Sequence, residues 1–186
     1  ARRELEKRQR QERRRLDDIM ARERALAQMQ EAREGFHRGV RSVLQAASKQ
    51  GWRLKGAVAE LITPPKELEV AIETALGGAA QFVVAETEID AKRAIEYLKA
   101  HRLGRATFLP LDSVRVPSLP KDSLHRLTQI DGSIGLASDL IDVSHDLMPV
   151  FRHLLGRVAI VRDLNAAMAV SKAVKGLSRV VTLDGD

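Results

Sequence analysis

Few side chains in this sequence are of a type and spacing that could do chemistry. Glu60 and Asp139 hold matching places in two similar stretches, and two carboxylates meeting at a pseudo-twofold axis could trade protons as acid and base. No nucleophile or electrophile accompanies them, so acid-base catalysis is not expected. His145 and His153 lie eight residues apart with Asp142 and Asp146 beside them, a spacing that matches no common metal site. They read as surface histidines. A G-x-x-x-x-G-K-[ST] loop is absent, and no G-x-G-x-x-G follows a strand, so nucleotide binding by this chain is not expected either. The reading is of a chain with no catalytic residue, no metal site and no cofactor.

The cations say more. Residues 1–15 hold eight Lys or Arg against three Glu, a local charge of +5 within a net +6. Such a block suits a polyanion, and equally the solvated face of a charged helix. Further along, Lys49, Arg53, Lys55, Lys92, Arg93, Lys99, Arg102, Lys172, Lys175 and Arg179 could contact phosphates, which gives salt-sensitive and sequence-indifferent affinity. Stacking on bases needs aromatic faces. There are six aromatic side chains, and Phe82, Phe108 and Phe151 sit in core-like patterns, so an aromatic platform for single strands is not expected. With no cysteine there is no disulfide framework, which fits a reducing compartment. The apolar runs are far shorter than the roughly 20 residues of a membrane span. The expected location is the cytoplasm.

The elements that must position these groups follow from periodicity. Residues 1–34 contain no Pro or Gly and are rich in Arg, Glu, Gln, Ala and Leu, which predicts one long helix. Stepping four and three residues from Leu5 finds apolar side chains only at Leu5, Leu16, Ile19 and Leu26 among nine seam positions. So polar a helix needs a partner helix, which the rest of the sequence does not supply. A short amphipathic helix over 40–48 follows, then a strand over 54–62, a helix opened by Pro64-Pro65, a strand over 81–85, a helix capped at Thr87, and a strand over 105–109. The same order returns as a strand over 136–141, a helix over 147–155, a strand over 158–161, a helix behind Asp163, and a strand over 179–183. The offset is 79 at Leu61/Leu140 and at Gly77/Gly156, and 74 at Arg105/Arg179. This is a duplicated αβ unit. The expected organisation is a coiled-coil helix over 1–34, a first subdomain over 35–112, a connector over 113–135, and a second subdomain over 136–186. Gly56 and Gly185 flank strands, where a glycine can admit another backbone; if those strands are sheet edges they could pair with a second molecule.

A charged helix leading into a duplicated αβ domain, with Gly56-Ala57-Val58-Ala59-Glu60-Leu61-Ile62, Ala71-Ile72-Glu73-Thr74-Ala75-Leu76-Gly77-Gly78 and Gly104-Arg105-Ala106-Thr107-Phe108-Leu109-Pro110-Leu111, resembles the hinge of bacterial structural-maintenance-of-chromosomes (SMC) proteins. Leu154-Leu155-Gly156-Arg157-Val158 and Val181-Thr182-Leu183-Asp184-Gly185-Asp186 agree with it. The resemblance covers residues 39–186. It implies a mixed α+β, α/β fold with two small sheets after a long coiled-coil helix. It also implies a non-enzymatic module that joins two copies through sheet edges, touches DNA where coil meets hinge, and serves an ATPase of chromosome condensation and segregation whose nucleotide site lies elsewhere. The DNA-facing candidates it marks are Arg33, Arg38, Arg41, Lys49, Arg53, Lys55, Lys92 and Arg93. The dimer-facing candidates are Gly56, Val58, Arg179, Val181, Leu183 and Gly185. Implied partners are a second copy, DNA of any sequence and an antiparallel coiled-coil helix, with a nucleoid-associated location and no membrane. Family members continue past Asp-Gly-Asp with a glycine-rich stretch, so subdomain II is expected to be cut short at its C-terminus. The alternative is a small αβ ligand-binding domain or enzyme with a basic helical tail, using a pocket between the two copies.

Overall fold

A computed structural model describes residues 36–186, together with Arg13, Arg15, Ile19, Met20 and Arg22. Those five have helical backbone. The rest of the expected coiled-coil helix, Arg33 included, lies outside the described residues. Residues 38–186 form one compact unit.

Its first half begins with helix α1 (Arg38–Gln50), which carries Val40, Val43, Leu44, Ala46 and Ala47 on its buried face. Gly51 in a left-handed conformation ends it, and the Trp52 amide turns back to the Ala47 carbonyl at 3.0 Å. Strand β1 (Leu54–Ala57) follows. The expected strand over 54–62 stops four residues in. The Glu60 carboxylate takes the Ala57 amide at 3.0 Å, and Val58–Glu60 close into a 3-10 turn. A capped turn beats continued strand because a side-chain acceptor three residues on satisfies an amide the ladder would otherwise need to pair. Helix α2 (Glu69–Leu76), strand β2 (Val83–Ala85), helix α3 (Glu88–His101) and strand β3 (Phe108–Pro110) complete the half. Thr87 caps α3 as expected, its hydroxyl oxygen accepting from the Asp90 amide at 3.1 Å.

The second half repeats this order with helix α4 (Lys121–Gln129), strand β4 (Ser133–Leu136), a 3-10 turn at Ala137–Asp139, helix α5 (Met148–Leu155), strand β5 (Val158–Val161), helix α6 (Leu164–Ala173) and strand β6 (Arg179–Thr182). The sheets are β1-β2-β3 and β4-β5-β6, each with an antiparallel first pair and a parallel second pair. Even the irregularity repeats, with register shifts at Leu54/Gly56 and Ser133/Gly135. Both glycines have positive φ, 139° and 151°, which is why glycine stands at the bulge twice.

Three readings change. The strand expected over 136–141 is likewise mostly turn, with Ala137–Asp139 in a 3-10 turn. The stretch expected as a connector holds α4, which packs on β4 and α6 as α1 packs on β1 and α3. The repeat offset is 79 at Gly56/Gly135, 76 at Val84/Ile160 and 72 at Leu109/Val181, positions paired alike within their ladders. The counterpart of Arg179 is therefore Thr107 and not Arg105. Helix α6, with 10 residues against 14 in α3, accounts for the last four.

The two copies share one core. Ile72 and Leu76 of α2 meet Val150, Phe151 and Leu155 of α5 there, with Val84 and Ile160 from the sheets and Val58 from the first 3-10 turn. Phe151 and Leu155 are fully buried. A smaller cluster under α4 and α6, built on Leu127, Val161, Ala166 and Val170, holds the outer face of the second sheet. The junction where the alternative reading needs a pocket is filled by these side chains.

Candidate functional site

The basic candidates separate by what faces them. Arg53 at the start of β1 reaches Glu86 at 3.0 Å and Asp90 at 3.5 Å. Lys55, two residues on, reaches Glu86 at 3.0 Å and Asp146 of the second copy at 3.7 Å. Glu86 follows β2 directly, so the β1-β2 pairing that joins Leu54 to Ala85 brings these charges together. Lys92 lies 3.9 Å from Glu96, one helical turn on. These three cations offer a polyanion less than their formal charge. Arg38, Arg41 and Lys49 on α1 carry no ion pair among the described residues. Arg93 on α3 has none within 4 Å either, and its charge helps hold Asp90 ionised.

The titrating groups follow this geometry. Asp90 is 4% exposed and its carboxyl is held below the ordinary value, first by the Thr87 hydroxyl donating to it at 2.7 Å and then, against the cost of burial, by Arg53 and Arg93. Lys55 is pushed up, chiefly by its hydrogen bond and charge pairing with Glu86. Asp146 is lowered, chiefly by the Ser144 hydroxyl and further by Lys55. Glu60 and Asp139 do capping and turn work at the two 3-10 turns: Glu60 accepts from Ala57, and Asp139 accepts from the Ser138 hydroxyl at 3.3 Å. Among the described residues no cluster of His, Asp or Glu could hold a metal ion.

Of the dimer-facing candidates, Val58, Val181 and Gly56 are buried, Leu183 and Gly185 half-buried and Arg179 exposed. Val58 and Val181 are 0% and 1% exposed in the shared core and offer no side chain to a second molecule. Leu183 is half-buried against that core. A side chain on Gly56 would meet its own chain's Glu60 carboxylate at 3.1 Å; one on Gly185 would meet Thr74 Oγ1 and Val70 Cγ1 at 3.0 Å. The close approach these glycines admit is by the same chain. Arg179 donates to the Thr74 and Ala75 carbonyls at 2.9 and 3.0 Å, tying β6 of one copy to the C-terminal turn of α2 in the other.

What the sheets leave open is elsewhere. Each sheet has two strands paired on one side only, β1 and β3 in the first and β4 and β6 in the second; β3 and β6 are the ones with a groove beside them. A groove of about 380 Å³ runs between α3 and β3, lined by Ala91, Lys92, Ile95, Phe108 and Pro110 among others. One of about 400 Å³ runs between α6 and β6, lined by Ala167, Met168, Ser171 and Val180 among others. The repeat offsets map these linings onto one another: Ala91 with Ala167, Lys92 with Met168, Ile95 with Ser171, Phe108 with Val180. The second groove is the less charged, lined by Arg179 alone among charged residues where the first has Glu88, Lys92, Glu96 and Lys99, and Leu164 and Met168 are 58% and 57% exposed at its rim. Sequence reasoning missed both grooves, because lining residues such as Phe108 and Ala91 follow core-like patterns and nothing in the chain order separates a groove wall from core.

Comparison with known proteins agrees with this architecture. The profile of the family described as SMC proteins Flexible Hinge Domain matches residues 53–171. The chain is 41% identical over 162 residues to the Chromosome partition protein Smc of Lactiplantibacillus plantarum and 40% identical over 161 residues to that of Bacillus subtilis, in each case over 87% of this chain and 14% of the relative. It thus spans about one seventh of the curated relatives it matches. Among solved structures, an asymmetric dimer of the Geobacillus stearothermophilus SMC hinge domain superposes with a TM-score of 0.87 at 39% identity, over 91% of this chain and 67% of that one. The Pyrococcus furiosus SMC hinge domain superposes with a TM-score of 0.63 at 31% identity, over 86% and 79%.

Proposed function

Because the chain belongs to the SMC hinge family, a structural module and not a catalytic domain, we propose that it joins two copies of a long chromosome-partition protein and holds DNA without regard to sequence. One observation carries the first part: in two sheets of identical topology, the edge strands β3 and β6 are each paired on one side only and each runs beside a groove with exposed apolar side chains. An unpaired edge is a template for another strand, and in such a pairing the charged lining at Lys92 and Glu96 would meet the less charged one around Met168. Pairing β3 of one copy with β6 of the other satisfies both edges twice over in a closed dimer. The second part rests on the unpaired cations of α1. In the whole protein the partner helix for residues 1–34, the ATPase heads and a nucleoid-associated place in the cytoplasm follow from this role. No described helix is long and apolar enough to cross a membrane, which is compatible with it.

Sedimentation across a concentration range tests the dimer. A species of twice 20.6 kDa is expected, and Met168→Glu should shift it toward monomer. A monomer at every concentration overturns the reading. For DNA, replacing Arg38, Arg41 and Lys49 by Glu should weaken duplex binding and flatten its salt dependence by roughly one unit of slope for each phosphate no longer neutralised. Unchanged affinity and slope would remove DNA from the proposal.

A further inference from the structure

With no cysteine in the chain, its oxidisable sulfur is confined to four methionines, Met20, Met29, Met148 and Met168. Met29 lies outside the described residues. Met148 is half-buried at the start of α5, Met20 is 44% exposed, and Met168 is 57% exposed on α6. Met168 is therefore the most accessible of the three to an oxidant in solution. It is also the one that lines the groove beside β6.

The wall around this thioether suits an apolar side chain and not a polar one. Ala167, Val174, Leu177 and Val180 form its apolar side. Of its polar residues, Ser178 already donates its hydroxyl to the Arg157 carbonyl at 3.0 Å, and Arg179 Nη1 donates to the Thr74 and Ala75 carbonyls at 2.9 and 3.0 Å. Lys92, the counterpart of Met168 in the first copy, lies 3.9 Å from its own Glu96. Uptake of one oxygen would turn the soft, flexible Met168 side chain into a strong hydrogen-bond acceptor with a large dipole. In the open groove water hydrates that oxygen. A strand laid along β6 removes the water, and a polar atom buried without a donor is costly. The first groove holds no methionine, so a dimer that pairs each β6 with a β3 has one such sulfur at each of its two contacts.

We propose that Met168 is an oxidation site through which peroxide opens the β6 edge. The Met168 sulfur attacks one oxygen of hydrogen peroxide, the O–O bond breaks, that oxygen stays on sulfur and the other leaves as water. Sulfur gives up two electrons and the peroxide takes them. A second copy seated on β6 covers the sulfur, so the reaction runs on the open form and then holds it open. The inference rests on the dimer reading above.

The experiment treats the chain with hydrogen peroxide at a series of protein concentrations, maps each methionine by peptide mass and measures the dimer by sedimentation. Met168 is expected to oxidise ahead of Met148, and more slowly as protein concentration rises through the dimerisation range. The oxidised chain should dimerise about a hundredfold more weakly, about tenfold for each of two contacts. Methionine sulfoxide reductases for both epimers should restore the dimer. A chain carrying Met20→Leu, Met29→Leu and Met148→Leu, with Met168 as its remaining sulfur, should show the full effect. Met168→Leu, whatever its own dimer constant, should hold that constant within about twofold under peroxide. Complete oxidation of Met168 with an unchanged dimer constant overturns the proposal, as does an equal loss in Met168→Leu. A monomer at every concentration before any peroxide is added overturns the dimer reading itself, and the untreated runs tell that failure from the others.

Discussion

Gly39→Ala is the substitution whose sign separates local from tertiary reasoning. Gly39 lies within α1 at ordinary helical φ, so helix propensity alone predicts a gain of about 1 kcal/mol from alanine. The added Cβ would stand 2.2 Å from the Arg105 carbonyl oxygen, 2.6 Å from its carbon and 2.8 Å from its nitrogen. All three are backbone atoms of the turn that closes α3, so no side chain can swing aside. Relief requires α1 to lift from the 104–105 turn, loosening Val40 and Val43, which are 2% and 0% exposed. Overpacking of this kind costs about 1–3 kcal/mol, and a backbone obstacle puts it at the upper end. Subtracting the propensity gain leaves a net loss of about 2 kcal/mol. With a urea dependence of roughly 2 kcal/mol per molar, the midpoint should fall by about 1 M. Gly78→Ala is the control, since Gly78 has nothing within 4 Å of its Cβ position and no positive φ. Its midpoint should stay within about 0.3 M of the parent. If Gly39→Ala raises the midpoint or leaves it unchanged, the close passage of α1 against the turn after α3 is not as described.

Phe151→Ala should cost about 4 kcal/mol in urea unfolding, because the ring is fully buried where the two copies meet; a loss under about 1 kcal/mol would mean the copies do not share a core. Arg179→Ala should lower stability by about 1–2 kcal/mol through loss of two charge-assisted bonds to the end of α2, with Arg179→Lys recovering part of it; no change in either variant would count against the tie between copies. Asp90 is depressed below its ordinary 3.8, so its ionised form contributes stability above that value and the contribution is lost as pH falls through the lower folded value. The stability gap between the parent and Asp90→Asn should therefore be open at pH 7 and narrow below about pH 4, read from urea midpoints across pH; a gap that widens on acidification would refute the assignment. Thr87→Ala should cost about 1 kcal/mol by removing the cap of α3, and Asp163→Ala a similar amount at α6.

Much of the architecture was legible in the amino-acid order because it rests on interactions local in the chain. The caps at Thr87 and Asp163, the helices between them and their glycine stops, and the fact of duplication all depend on residues within a few positions of one another. The family likeness was legible for the same reason, since its motifs are contiguous. What the chain order could not decide was where apolar runs stop being strand. The stretches 57–62 and 136–141 have strand-like composition, yet each folds into a 3-10 turn after its bulged glycine, and at Ala57 the decision lies with a side-chain acceptor three residues on. Helix α4 was hidden in an apparent connector because its few apolar residues acquire meaning only against β4 and α6.

The candidate sites divide along the same line. Identity and charge of Arg38, Arg41 and Lys49 are sequence facts, but their freedom from acidic partners, and the capture of Arg53 and Lys55 by Glu86, are settled by β1 lying beside β2. Val58, Val181, Gly56 and Gly185 carry the right composition for an interface and are consumed by the chain's own core and turns. Trp52 and Tyr97 lie 45 residues apart and touch only because α1 and α3 pack. The sequence by itself determined most of the helices and strands and that their order occurs twice, since hydrogen bonding and periodicity act over a few residues. Which faces remain open, which charges remain unpaired and which rings meet are properties of contacts between distant segments, and the tertiary structure alone decided them.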